Sequence, residues 1–139
     1  MDIRLFEERD RDQLIALWKA CDLTRPWNDP NKDIDRKAQF QPELFFVGLN
    51  DSRVIASAMA GYDGHRGSVF YLAVHPDFQG SGYGQILMSH VETTLINLGC
   101  PKLNILVRTS NQPVLGFYDG LSYQQDNVVS LGKRFIPDA

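Results

Sequence analysis

The chain of 139 residues has the length of one domain, enough to bury a proper hydrophobic core. With 43% apolar and 22% charged residues it is neither disordered nor fibrous, and a net charge of −3 argues against bulk binding to nucleic acid or an anionic membrane. Cys21 and Cys100 make neither a disulfide framework nor a metal clip, no apolar run reaches the length of a membrane span, and residues 1–10 (MDIRLFEERD) lack a signal-peptide apolar region, so a cytoplasmic protein is expected.

In chain order, residues 3–6 (IRLF) alternate apolar and polar and predict a first strand. Asp10 is placed to cap a helix in which Leu14, Leu17, Trp18 and Cys21 recur at helical spacing. Residues 22–30 (DLTRPWNDP) read as a loop, because two prolines and an Asn-Asp pair break any period, and residues 31–40 read as a short second helix. ELFFVGL and VIASAMAGY are two strands joined by an Asn50-Asp51 turn, and YDGHRGS is a polar turn. VFYLAV, apolar throughout, is expected to be a strand covered on both faces. From Gln85 a helix follows, with Leu87, Val91, Leu95 and Leu98 on one stripe and Gly99 as its stop. Residues 102–107 (KLNILV) are predicted as a strand. A short helix capped by Ser110 or Asn111 comes next, and residues 127–135 (NVVSLGKRF) are expected to close the chain as a last strand, with a short one near Tyr123. Strands in series, then strand and helix in alternation, imply an α/β fold: one mixed sheet with helices on its faces, a single domain over residues 1–139.

Between the VFYLAV strand and the helix that follows stand Gly80, Gly82 and Gly84. A glycine cluster is either a tight turn or a cradle for an anion. Its place at a helix N-terminus favours the cradle, since the first helical amides have no internal partners, carry the positive end of the helix dipole, and can meet phosphate oxygens where no Cβ intervenes. The dinucleotide fingerprint fails, because its third glycine would be Gln85 and its carboxylate would fall at Asn104. No Gly-Lys-Ser/Thr follows, so it is not a P-loop.

The run Gln79-Gly80-Ser81-Gly82-Tyr83-Gly84 after LAVHP resembles the phosphate motif of the GNAT family of N-acetyltransferases, Gln/Arg-x-x-Gly-x-Gly/Ala. Asn111 followed seven residues later by Tyr118, in NQPVLGFYDGLSY, resembles a second segment of that family, although Ser122-Tyr123 stands where Gly-Phe is usual. The opening helix, RPWNDP and YDGHRGS are similar to the YpeA-type bacterial acetyltransferases within it. The resemblance implies acetyl-CoA as cosubstrate, with its pyrophosphate on Gln79, Gly80, Ser81, Gly82, Tyr83, Gly84 and Gln85. It further implies that the pantetheine arm pairs with Leu72, Ala73 and Val74 between two splayed parallel strands, beside Asn111 and Phe117, and that Tyr118 is the acid that protonates the leaving thiolate. No metal is expected.

The amine must attack as the free base. At pH 7 a lysine-like amine is only about one part in 2,500 neutral, whereas a peptide α-amine is about a tenth to a sixth neutral. Many family members carry a glutamate on the fourth strand. VFYLAV has none, which leaves Asp63 and His65 as candidate bases, while His75 before Pro76 reads as structural. In this family the loop after the first helix lines the acceptor side; here it offers Trp27 as a wall and Asp29 as an attractor of a cationic amine. The expected partner is a small-molecule amine or a peptide N-terminus, with a second copy of the chain as a further candidate and neither nucleic acid nor membrane. The competing reading is an acyl-CoA-binding module of the same fold without turnover.

Overall fold

The computed structural model describes residues 1–138. Its elements are β1 (Asp2–Leu5), α1 (Arg11–Ala20), α2 (Pro30–Gln39), β2 (Phe45–Asn50), β3 (Arg53–Tyr62), β4 (Gly67–Val74), α3 (Tyr83–Asn97), β5 (Leu103–Asn104) and α4 (Gln112–Gly120). The five strands form one sheet in sequence order; β1 to β4 are antiparallel and only β4 and β5 run parallel. This is the mixed, mostly antiparallel architecture that the sequence implied.

Alternation along the strands divides the core into two layers. Phe45 and Val47 of β2 and Val54 of β3 pack with Leu14, Leu17 and Trp18 of α1 and Ile34 of α2. Phe46, Ile55 and Val69 face the other way, onto Leu87, Met88, Val91 and Leu95 of α3 and Tyr118 of α4. Pro30 opens α2 at a position where its missing N–H costs nothing, and the Asp29 carboxylate caps the helix by accepting the Asn31 amide at 2.9 Å. α3 ends in a Schellman arrangement, with the Gly99 and Cys100 amides bonded back to the Ile96 and Leu95 carbonyls.

Several sequence expectations are corrected. Asp10 does not cap α1: its carboxylate accepts the Glu7 amide at 2.9 Å and the Arg4 guanidinium at 2.7 and 2.9 Å, closing the preceding turn instead. β4 is not covered on both faces, since Phe70 is 47% exposed and lines an open groove. Leu98 lies off the buried stripe of α3, in solvent beyond the helix end. The strand predicted over 102–107 shrinks to Leu103–Asn104, because β4 bends away and leaves the rest without a ladder. Residues 127–135 form no strand, nor does Tyr123: the two-residue β5 offers no edge long enough to pair with, and Val128, Val129 and Leu131 remain exposed.

Candidate active site

The parting of β4 from β5 creates the site. Their pairing ends at Ser68↔Asn104, so Leu72, Ala73 and Val74 have no neighbouring strand on that side among the described residues. Just beyond, β4 carries a bulge: Tyr71 and Leu72 lie between the positions paired with Ser57 and Met59, and Tyr71 sits in the left-handed region at φ 51°. A bulge bends and twists its strand, which accounts for the separation. A left-handed tyrosine is strained and must be held in place. Its ring stacks on Trp18 at 3.8 Å and its hydroxyl donates to Asp33 at 2.6 Å. Trp18 Nε1 donates to Ser57 Oγ at 2.9 Å, and Ser57 Oγ donates to the Tyr71 carbonyl at 2.7 Å. Burial, and then the Asp33 hydrogen bond, push the Tyr71 phenol up. No local signal marks Tyr71 or Asp33, because their contact joins a strand and a helix 38 residues apart.

At the end of β4 the chain turns into α3 through the glycine segment. Gly80 and Gly82 both have φ 83°, and a Cβ built on either meets nothing within 4 Å. The conformation excludes most side chains, and the space beside it is open. Gly82 is the N-cap of α3, so the amides of the helix's first turn have no intrahelical partner, and no side chain caps them. Gly84 differs: its Cβ would fall 3.1 Å from the Phe117 ring, which packs α4 against the head of α3. Gln79 ties the turn to the strand by donating to the Val74 carbonyl at 2.9 Å, and Ser81 and Gln85 are exposed beside it. His75 is occupied structurally, accepting the Asp77 amide at 3.1 Å and lying 3.2 Å from Arg53.

Asn111 caps α4 by accepting the Val114 amide at 3.4 Å, which positions the helix that carries Tyr118. The Tyr118 ring packs edge-on between Phe117 and Tyr123 and is 7% exposed. Among the described residues nothing hydrogen-bonds its hydroxyl, and no fully buried polar side-chain atom lacks a partner, so the hydroxyl oxygen keeps some contact with solvent. Burial pushes its phenol up to about 12.

On the opposite face of the sheet, Trp27 reaches from the α1–α2 loop to the Arg108 guanidinium, 5.7 Å from its ring centre, and so spans toward the chain leaving β5. The Asp29 carboxylate is partly spent on its cap. A groove of about 440 Å³ opens on this face between β4 and β5, lined by Phe40, Met59, Ser68, Phe70, Asn104 and Leu106. Strand alternation within SVFYLAV and KLNILV was the available signal for Ser68, Phe70, Asn104 and Leu106. Asp63 borders the groove at its far end, at the β3–β4 turn. Its carboxylate accepts the Arg66 and His65 amides at 2.7 and 2.8 Å, and these bonds hold it below the usual carboxylate range. At about 3.3 Å per residue, β4 keeps Asp63 and His65 some 20 Å or more from the glycine turn. The structure thus brings the glycine turn, the free end of β4, Phe117 and Tyr118 together, and leaves Asp63 and His65 at the other end of the strand. Among the described residues no three His, Cys, Asp or Glu side chains gather as metal ligands would.

The family described as "Acetyltransferase (GNAT) family" matches residues 11–123. An acetyltransferase of Yersinia enterocolitica (serotype O:8 / biotype 1B) is 51% identical over 138 residues, covering 99% of this chain and 98% of that protein. Among solved structures, the ribosomal-protein-S18-alanine N-acetyltransferase from Escherichia coli superposes with a TM-score of 0.76 at 21% identity, over 90% of this chain and 78% of its own. The PaiA N-acetyltransferase from Thermoplasma acidophilum, solved in complex with coenzyme A, superposes at 0.71 with 15% identity over 92% of each chain. These structures share the fold, and the family match and the half-identical relative go further: the chain belongs to the GNAT family of acetyltransferases.

Proposed function

We propose that this chain, acting as one domain over residues 1–139 in the cytoplasm, transfers an acetyl group from acetyl-CoA to a primary amine. The acceptor is a small molecule or a protein N-terminus, attacking directly in a ternary complex. One observation carries the reading: an open glycine turn at the head of α3 adjoins the stretch of β4 that has lost its neighbouring strand. The first suits a pyrophosphate and the second suits an arm bearing amides. When bound, acetyl-CoA supplies an activated acetyl thioester. Residues 79–85 hold the pyrophosphate through their amides, Leu72, Ala73 and Val74 pair with the arm, and Asn111 and Phe117 set the wall from α4. A backbone N–H near Val74 polarises the thioester carbonyl.

Tyr118 keeps its proton at neutral pH and donates it to the leaving thiolate. The acceptor amine approaches from the groove face, past Trp27 and Asp29. Asp63 and His65 stand too far along β4 to meet the amine directly, so a proton reaches them only through water, and an α-amine needs little such help.

The competing reading, an acyl-CoA-binding module without turnover, is favoured by one feature: β4 (GSVFYLAV) carries no carboxylate. Calorimetry with acetyl-CoA, followed by steady-state turnover on alanyl- and seryl-peptides, a linear polyamine and an aminoglycoside, separates the two. Binding with no turnover on any acceptor supports the module, and absence of binding overturns both. Sedimentation at assay concentration tests for a second copy of the chain as partner.

A further inference from the structure

We propose that Asp138 is a positioning residue for the acceptor: it latches residues 127–138 onto the α1–α2 loop and so fixes the Trp27 wall. This rests on the reading that Trp27 and Asp29 line the acceptor side. Residues 124–137 are exposed throughout, yet the Asp138 side chain is 0% exposed. Its carboxylate accepts the Asp29 amide at 3.1 Å and the Arg36 guanidinium at 2.7 and 3.4 Å, while Lys32 Nζ donates to its carbonyl at 3.3 Å. Arg134 adds a hydrogen bond to Asn28 Oδ1. All these partners lie within Asn28–Arg36, the end of the acceptor loop and the first turns of α2.

The rest of the segment contributes little apolar burial. Val128, Val129, Leu131 and Phe135 are exposed, and about 570 Å³ stays open between Arg36 and residues 132–136. The hydrophobic effect therefore does not hold the segment down; charge-assisted hydrogen bonds at one end do. The Asp29 amide lies one peptide from Asn28 and two from Trp27. Releasing Asp138 thus frees the part of the loop that carries the wall. The Arg36 hydrogen bond and then the Asp29 amide hold the Asp138 carboxyl down to about 2, so the latch stays charged at neutral pH.

The test compares wild type with Asp138→Asn, Asp138→Glu and Arg134→Gln. It reads amide hydrogen exchange over residues 27–31, and kcat and KM with the best acceptor of the panel above. Asp138→Asn is expected to speed exchange there at least tenfold and to raise the acceptor KM at least fivefold. kcat and the KM for acetyl-CoA should stay within twofold. Asp138→Glu should recover part of the loss, and Arg134→Gln should move both readouts the same way but less. Arg134→Gln also serves as the second variant should Asp138→Asn lose its thermal transition. Unchanged exchange overturns the latch. Faster exchange with an unchanged acceptor KM overturns the proposal by showing that the loop does not line the acceptor side. A wild type that turns over no acceptor removes the acetyltransferase reading, on which the positioning role depends.

Discussion

At Gly82 the backbone holds φ 83° beside open space, at the N-cap of α3, where the first amides have no intrahelical partner. A branched side chain there is strained and would keep a phosphate off those amides. Gly82→Val is therefore expected to weaken acetyl-CoA binding at least about tenfold by calorimetry, roughly the loss of one charge-assisted hydrogen bond. Equal affinity would reduce the segment to a turn. Tyr118→Phe removes one oxygen and leaves a ring already packed against Phe117 and Tyr123. As general acids contribute about 10²–10⁴-fold, kcat should fall at least roughly a hundredfold, with the melting temperature and acetyl-CoA affinity little changed. The loss should shrink with a donor whose thiol leaves as a stable anion. A variant that keeps half of the wild-type rate in a chemistry-limited assay would leave water as the donor.

Between elements, the sharpest constraint is where α4 meets α3. The Phe117 ring lies 3.1 Å from where a Gly84 Cβ would stand, so the ring must give by a few tenths of an ångström for a Cβ alone and by more for a branched side chain. Gly84→Val is expected to cost about 1–3 kcal/mol in urea unfolding, the usual range for an overpacked contact. It should also displace Tyr118, which α4 carries, so kcat should fall even where the protein remains folded. A stability loss with kcat intact would separate the packing of α4 from the chemistry.

Across the whole molecule, Asp138 and Arg36 join parts of the chain 102 residues apart. An unfolded aspartate titrates near about 3.9, whereas here Arg36 first, and then the Asp29 amide, hold the carboxyl at about 2. Between those values the unfolded chain binds the proton more tightly, so stability rises with pH across that window. The contribution is complete above about pH 4 and is lost as pH falls through about 2. The stability difference between wild type and Asp138→Asn, followed by urea midpoint, should be flat near neutrality and vanish toward pH 2. A difference that persists at pH 2 would show that the carboxylate's charge is not what holds the segment.

Much of this was legible in the residues themselves. The apolar run of ELFFVGL, the helical stripe of Leu87, Val91, Leu95 and Leu98, and a cap at Ser110 or Asn111 are local signals; the strand, the helix and the Asn111 cap formed, and only Leu98 fell off its stripe. The resemblance carried by Gln79–Gly84 and Asn111–Tyr118 led to the family without a fold. Long-range geometry decided the rest. KLNILV and NVVSLGKRF have strand-like composition, but a strand exists only where an edge is free to pair, and the bend of β4 at Tyr71 removed that edge. The same bend opened the cleft. The Tyr71–Asp33 bond, the Trp27–Arg108 contact and the Asp138 latch join residues far apart in sequence. No local pattern encodes such pairs, because their partners become neighbours only once the sheet has twisted and the helices have packed.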